Sequence, residues 1–463
     1  MKTVINSKVG ENKGHLRVWI EGGKLVRSGY QPDDRYDISV VENKIILVRS
    51  SEGAYSVTRR QRNGRVSPLI DLTSARCDAL QALFSAMQLI RIVVSERTIT
   101  ICKHHIDART EEREARLIGK LSRGEKLDTC ALFFGYGMLD RAAHDGLAAA
   151  GVRSRLSVLV ERDSRYIDPA LETYSDMIDD NTVVVESPIQ LTAFTGQQSA
   201  DIGIIGLPCT GASRAGKAKN GNKTAEEHPD AGAMFYYALR IAEVMNMAII
   251  SIENVCDYLN TEGMAVIRSV LSTLGYELVE FTVSGNDYGS IEDRRRMCVF
   301  AVSANLCINE FPLFEVLHDL AQQSTKPAAL GDVLDDIPLD SPMWKTYDYL
   351  AVKAISDKAA GKGFARQLLS GDEKKCGTIG RGYNRARSTE PFIQHPENPL
   401  LSRLLTVKEH ARVKGFPEEF INNHLPVTSA HEALGQGVIY PAFKAVFTAI
   451  GLFLTSLITP LEN

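Results

Sequence analysis

Between Cys130 and Val302, short apolar runs alternate with stretches of helical periodicity. The runs are Cys130-Ala131-Leu132-Phe133-Phe134, 156–161, Val183-Val184-Val185, 202–205, 248–252 and 297–302; helices are expected from about Leu139, after Glu161 and across 231–245. Such alternation predicts a doubly wound, mostly parallel sheet, whose ligands bind at the carboxyl ends of its strands. Upstream, residues 14–48 alternate in the β manner, as in Leu16-Arg17-Val18-Trp19-Ile20, Tyr36-Asp37-Ile38-Ser39-Val40 and Ile45-Ile46-Leu47-Val48, with turns at Gly22-Gly23 and Pro32-Asp33. The charged stretch 110–126, which contains Glu111-Glu112-Arg113-Glu114-Ala115-Arg116, predicts an exposed helix or linker and a domain boundary near 127. The uncharged stretch 445–460 is shorter than a membrane span and predicts a buried C-terminal helix and no membrane partner. Between 305 and 403 the pattern turns irregular, with Pro327, Pro338, Pro342 and the glycine-rich 376–383.

A length of 463 residues exceeds one ordinary core and implies two or three domains. Eight cysteines form no CxxC pair and no spacing that suits a disulfide framework or a metal site, which points to a reducing cytoplasm and no metal. The N-terminal residues lack the apolar run of a signal peptide. A net charge of −4 does not by itself suggest nucleic acid, yet from 351 to 415 thirteen Lys/Arg stand against six Asp/Glu. That stripe suits phosphate contact on one face, or a solvated surface. The basic segment Arg59-Arg60-Gln61-Arg62-Asn63-Gly64-Arg65 suits an exposed loop or a second phosphate contact.

Cys209 stands where the apolar run Ile204-Ile205 enters the turn Gly206-Leu207-Pro208-Cys209-Thr210-Gly211-Ala212-Ser213. A thiol at a strand end, aimed by a turn and supplied with partners from elsewhere, has what a nucleophile requires. The candidate partners are Glu253-Asn254-Val255, closing the run 248–252, and Arg294-Arg295-Arg296, which alone also suits a solvated charge run. After another strand of the same sheet, Gly135-Tyr136-Gly137 lets a ligand approach backbone between a strand and a helix. A nicotinamide fingerprint wants a third glycine where this chain has Asp140. Glu161 is placed to accept from two ribose hydroxyls and Glu186 to meet an adenine amine, so the ligand implied is an adenosine compound without a required pyrophosphate. S-adenosyl-L-methionine fits that description.

From about Leu127 onward these segments, in this order, resemble the DNA (cytosine-5) methyltransferases. Phe133-Phe134-Gly135-Tyr136-Gly137 is similar to the family's first motif, Pro208-Cys209 with Ser213 to its nucleophile motif, Glu253-Asn254-Val255 to its acid motif, and Asp287-Tyr288-Gly289 with Arg294 and Arg296 to its arginine motif. Residues 404–417 are similar to the ninth motif and Gly435-Gln436-Gly437-Val438 to the last. The resemblance implies an α/β, Rossmann-like S-adenosylmethionine-dependent methyltransferase sheet over 127–304 and 404–463, a small irregular target recognition domain over 305–403, and a β-rich N-terminal domain with a charged linker over 1–126. It implies catalysis by Cys209, Glu253, Arg294 and Arg296: the thiolate adds to C6 of cytosine, the acid meets N3 and an arginine holds O2. Cofactor contacts fall on Phe133, Gly135, Tyr136, Gly137, Glu161, Glu186, Pro208, Gln436 and Val438. Contacts to double-stranded DNA fall on Ser213, Lys217, Arg381, Arg385 and Arg387, with Lys217 on the glycine-rich basic segment 214–223, a loop that in the family closes over the DNA and helps hold the extruded base. The chain departs from the family at Thr210 and Ala212 beside the cysteine, at Glu292 for a glutamine, at Met138 for a glycine, and at Gln436-Gly437 for Asn-Ser.

The 35 or so residues from 14, with a short helix at 24–28, resemble the swapped-hairpin domains of the AbrB and SymE kind, which are often DNA-binding. This adds extra DNA contact, dimerisation or autoregulation to the enzyme. A DNA-binding regulator with a weakened methyltransferase fold is the second reading, against which the intact Cys209, Glu253, Arg294 and Arg296 speak. RNA cytosine methylation is the third.

Overall fold

A computed structural model describes residues 1–195, 198–213, 221–361, 366–421 and 425–459. Its first compact unit, Met1–Glu112, consists of two antiparallel sheets around one core. One sheet orders Thr3–Lys8, Leu89–Val94, Thr98–Lys103, Lys44–Arg49, Arg35–Val41 and Tyr55–Ser56; the other orders Gly10–Asn12, His15–Glu21, Arg65–Thr73 and Thr58–Arg62. Val18, Ile20, Ile45, Leu47, Ile90 and Ile92 alternate inward, as the period of two demands. The three strands legible near the N-terminus are thus part of a ten-stranded unit, and the helix expected at 24–28 is the short turn Gly23–Val26.

The second unit, Arg113–Asn463, is built on a seven-stranded sheet. We number its strands β1 (Leu127–Leu132), β2 (Ser154–Glu161), β3 (Val183–Glu186), β4 (Ile202–Gly206), β5 (Ile249–Asn254), β6 (Tyr276–Ser284) and β7 (Arg295–Ser303). They lie in the order β3-β2-β1-β4-β5-β7-β6, parallel except for β7, which runs against both neighbours. Both faces are covered, so the strands read as continuous apolar runs. Ala131, Leu159, Ile204 and Phe300 point to one core, whereas Cys130, Leu132, Val160, Ile205 and Val299 point to the other. The first core takes helices α1 (Met138–Ala149), α2 (Ser164–Thr173), α5 (Leu313–Gln323) and α8 (Tyr440–Ser456); the second takes α3 (Met234–Met245) and α4 (Glu262–Thr273). Helix starts follow from local capping: Asp163 accepts the Arg165 N–H at 3.2 Å, and Thr261 accepts that of Met264 at 3.2 Å. The apolar C-terminus is core, with Phe443, Phe447 and Phe453 buried in α8. Among the described residues no single helix is long and apolar enough to cross a membrane.

Three expectations about organisation need correction. The division falls between Glu112 and Arg113, inside a continuous helix, His105–Ser122, rather than near 127. That helix is not simply exposed: Arg113 is buried and donates to Ser303 Oγ (2.8 Å) and to the carbonyls of Leu274 (3.1 Å) and Gly275 (2.7 Å), while Lys120 reaches Asp128 and Asp201, each at 2.6 Å. The recognition segment does not begin at 305 either, because Leu306, Ile308, Leu313 and Leu317 pack into the sheet's first core. A separate small core begins further on, with Leu330, Val333, Ile379, Tyr383 and Ile393 beside the three-stranded sheet Gln367–Leu369, Pro391–Gln394 and Ser402–Arg403. Ile291, Leu405 and Val413 join this core and tie it to the main sheet.

Candidate active site

Strand direction explains how residues far apart in sequence meet at one edge. In the parallel pair β4–β5, Gly206 lies opposite Glu253, so the chain leaving β4 passes beside the acid that closes β5. β7 runs the other way and therefore contributes its first residues to this same edge, with Met297 opposite Asn254. Arg296 consequently meets Glu253, Nε to Oε1 at 3.0 Å. Past Gly206 the chain turns on Cys209, whose carbonyl accepts the N–H groups of Ala212 (3.1 Å) and Ser213 (2.9 Å). Asn254, buried, steadies the turn by donating to the Leu207 carbonyl at 3.3 Å.

Cys209 is the exposed one of the eight thiols. By contrast, burial pushes the Cys130 thiol up to about 12. Burial also raises Glu253 above the usual carboxylate range, against the pull of Arg296 and Arg294, which biases it toward the protonated form. Arg294 is buried, donates to the carbonyls of Ile379 (3.2 Å) and Gln436 (3.4 Å), and is lowered to about 10 by burial and by Arg296. Glu292, Glu253 and Cys209 oppose that lowering. The edge thus offers a nucleophile, a carboxyl biased toward its acid form and two guanidinium groups in one place.

Behind Arg294 lies a cluster that the linear motifs do not disclose. Glu292 and Lys414 are both inaccessible to solvent and pair at 2.7 Å, Oε2 to Nζ. The other oxygen of Glu292 accepts the Ile379 N–H at 2.9 Å and lies 3.5 Å from Arg294. Lys414 and Arg294 hold Glu292 below the usual carboxylate range against its burial, so it is ionised. The glutamate that replaces the expected glutamine is therefore matched by a lysine 122 positions away. Lys414 follows helix α6 (Val407–Val413), which is fixed by a capping box between Thr406 and Glu409 and by the buried pair Arg403–Glu409 at 2.6 Å. Lys414 and Arg403 are thus internal, and Arg412 pairs with Asp335 and Glu418; the basic excess over 351–415 is not one exposed stripe.

Further along the same carboxyl edge, past β1 and β2, the groups are satisfied by backbone. Phe133, Gly135 and Gly137 all have positive φ (61°, 57° and 74°), which curls the β1–α1 loop tightly. A Cβ at Gly137 would lie 2.4 Å from Phe134 Cζ, whereas one at Gly135 would meet nothing within 4 Å: there the loop borders open space. Glu161 Oε2 accepts the Gly135 N–H at 2.7 Å, and Oε1 accepts those of Arg162 (2.8 Å) and Asp163 (3.0 Å). Glu186 is exposed and stands opposite Glu161 in register. Two acids beside an open glycine turn suit the hydroxyl and amine groups of an adenosine, so these residues fit S-adenosyl-L-methionine.

Other expected contacts fall differently. The Tyr136 ring is in the core, its hydroxyl donating to the Phe420 carbonyl at 2.8 Å, so it can offer a ligand only its backbone. Val438 is likewise a core side chain. Gln436, part of α7 (Val427–Gln436), is exposed; its Nε2 donates to Tyr166 Oη at 3.1 Å. A Cβ on Gly437 would lie 2.3 Å from Met138 Sδ, so the two departures Met138 and Gly437 fill one space between them. Pro208 and Ser213 are half-buried beside Cys209, and Ala212 is buried in the second core. Lys217 lies outside the described residues. Arg385 and Arg387 are exposed, while Arg381 faces Glu432 of α7 at 3.7 Å.

A family model described as C-5 cytosine-specific DNA methylase matches residues 132–452. The type II methyltransferase M1.ScrFI of Lactococcus lactis subsp. cremoris is 26% identical over 252 residues, covering 53% of this chain and 61% of its own length. The DNA-cytosine methyltransferase of Escherichia coli (strain K12) is 26% identical over 332 residues, covering 63% and 69%. The chain thus spans about six tenths of M1.ScrFI and, at 62%, of the type II methyltransferase M.SsoII of Shigella sonnei. In fold it is similar to the Dnmt2 methyltransferase of S. pombe, with a TM-score of 0.53 at 19% identity over 72% of this chain and 100% of that one. The methyltransferase EhMeth of Entamoeba histolytica gives 0.54 at 16%, over 72% and 99%.

Proposed function

Because the chain belongs to the C-5 cytosine-specific DNA methylase family, we propose that it methylates C5 of cytosine in double-stranded DNA with S-adenosyl-L-methionine as donor. The backbone of Phe133, Gly135, Tyr136 and Gly137, the acids Glu161 and Glu186, and Pro208, Gln436 and the Val438 backbone would hold the cofactor, which would supply an electrophilic sulfonium methyl group. The acceptor is an unreactive sp² carbon, and this chain's residues have to activate it. The Cys209 thiolate adds to C6; as the C–S bond forms, the C5–C6 π pair moves toward C5 and makes that carbon nucleophilic. Glu253, biased toward its acid form, donates to N3, and Arg294 and Arg296 offset the charge that develops toward O2. Once C5 carries the methyl group, its proton passes to solvent and the C6–S bond breaks, which restores the C5–C6 double bond and frees the Cys209 thiolate.

The observation that carries this reading is the meeting of exposed Cys209, half-buried Glu253 and Arg296 at one strand edge. The names of the relatives, type II methyltransferases and a DNA-cytosine methyltransferase, support DNA as the acceptor. The base has to leave the duplex stack, at a cost on the order of a few kcal/mol, which contacts from Ser213 and Lys217 would offset. Arg385 and Arg387, with Arg381 nearby, are read as recognition-segment contacts to DNA. The test is transfer of labelled methyl groups to duplex DNA. Cys209→Ser abolishes it and Glu253→Gln slows it about 10²–10⁴-fold, both with cofactor binding retained; turnover by Cys209→Ser refutes the assignment.

A further inference from the structure

Residues 1–131 lie outside the family match, and no step of the proposed reaction uses the first unit. That unit nevertheless carries a built cationic cleft. Its hairpin, Thr58–Arg62 with Arg65–Thr73, closes on Asn63-Gly64, both at positive φ (49° and 71°), a two-residue turn that fixes the strand register firmly. The register sets Arg62 directly opposite Arg65. Like charges facing each other across a strand pair are destabilising, and both side chains are exposed with no ion pair among the described residues. Beside them, Arg60 pairs with Glu21 and, like Arg17, packs its guanidinium on the Trp19 ring, at 5.1 Å and 4.0 Å. The short helical turn Gly23–Val26 brings up exposed Lys24 and Arg27. Between hairpin and turn lies an open cleft of about 520 Å³, lined by Lys24, Arg27, Arg60, Arg62 and Ser67, with Glu21 its one carboxylate among the described residues.

We infer that this cleft binds the phosphate backbone of duplex DNA without reading sequence, an inference that rests on duplex DNA being the substrate. Four cations against one carboxylate suit a polyanion, and Arg65, the register partner of the lining residue Arg62, adds a fifth cation next to the lining, so that phosphate held against the pair offsets the loss of hairpin stability. Among the described residues no aromatic side chain lines the cleft, so it has no platform on which the bases of a single strand could stack. Because the unit is covalently joined to the catalytic unit, a weak contact of this kind raises the effective concentration of DNA at the catalytic edge.

The full-length protein is titrated with poly(dA)·poly(dT), a duplex without cytosine, over a range of salt concentrations. Arg62→Ala/Arg65→Ala is expected to reduce the slope of log K against log[salt] by about 1.8, at about 0.9 for each phosphate no longer neutralised. Lys24→Ala/Arg27→Ala is the second variant, on the opposite wall, and reduces the slope in the same way. Both variants keep their methyl-transfer rate at saturating DNA and the wild-type unfolding temperature, which the hairpin variant matches or exceeds. Wild-type slopes in both variants overturn the inference. So does an equal loss of binding to single-stranded poly(dT), or a loss confined to binding of poly-glutamate, which would make the cleft a face for acidic protein. A wild-type protein that methylates no duplex DNA overturns the proposed function instead.

Discussion

Two corners of the carboxyl edge of the seven-stranded sheet handle charge in opposite ways. At the corner of β1 and β2, the proposed cofactor end, Glu161 is held by three backbone N–H groups supplied by its own turn and by the β1–α1 loop. At the chemical end, Glu292, Lys414 and Arg294 are satisfied chiefly by one another and by the Ile379 backbone, away from water. The departures from the family follow the same division. Met138 and Gly437 exchange volume at the first end, while Glu292 and Lys414 balance charge at the second. A steric exchange fails by overpacking, and a charge exchange fails by stranding a buried ion, so the two corners should respond differently when one partner is replaced alone.

The largest effect is expected at the chemical end. Lys414→Met leaves Glu292 buried without its cation and should cost about 3–5 kcal/mol in chemical denaturation. Glu292→Gln should cost a similar amount, and the double variant should recover most of the loss, since a neutral pair of similar volume avoids desolvating two charges. Additive losses would remove the charge-exchange account. At the cofactor end, Gly437→Ser should cost about 1–3 kcal/mol by overpacking against Met138 and weaken S-adenosyl-L-methionine binding measured by calorimetry. Adding Met138→Gly should relieve the clash; if it does not, volume exchange is the wrong description.

The smallest effect tests buried carboxyls by pH. Burial raises Glu390 from 4.5 to about 7, and its Oε2 has no hydrogen-bond partner among the described residues. Between those values the folded chain holds more proton than the unfolded one, so the stability Glu390 contributes falls as pH rises through the window and is lost above about 7. Glu390→Gln does not ionise. Its unfolding temperature should match wild type near about pH 4 and exceed it by about 2–4 °C near about pH 8. An excess at acid pH instead would reverse the sign and sink the argument.

The sheet and most of its edge chemistry were legible because they are local. Apolar runs buried on both faces name the strands, and Glu161, Cys209 and Glu253 each stand at or just beyond the end of one. Arg294 and Arg296 were legible as a motif, but their arrival beside Glu253 depends on β7 running antiparallel, which the runs do not encode. Lys414 was hidden for a physical reason: a lysine at the end of a short helix reads as surface, and its partner is brought near only by the fold. Arg113 failed in the same way, since a charged run looks solvated until the carbonyls of Leu274 and Gly275 are placed beside it. Tyr136 is the converse case: the glycine turn around it was legible, but its ring points into the core.

In the proposed reaction Cys209 attacks the base, with Glu253 and Arg296 at the same edge. Incubation with S-adenosyl-L-methionine and duplex DNA carrying 5-fluorocytosine tests it directly, because fluorine at C5 blocks the proton loss that frees the thiol. The account predicts a covalent protein–DNA complex that survives denaturation, maps by peptide mass spectrometry to Cys209, and is absent in Cys209→Ser. A methyl-transferring protein that forms no such complex, or forms it at another cysteine, would contradict it.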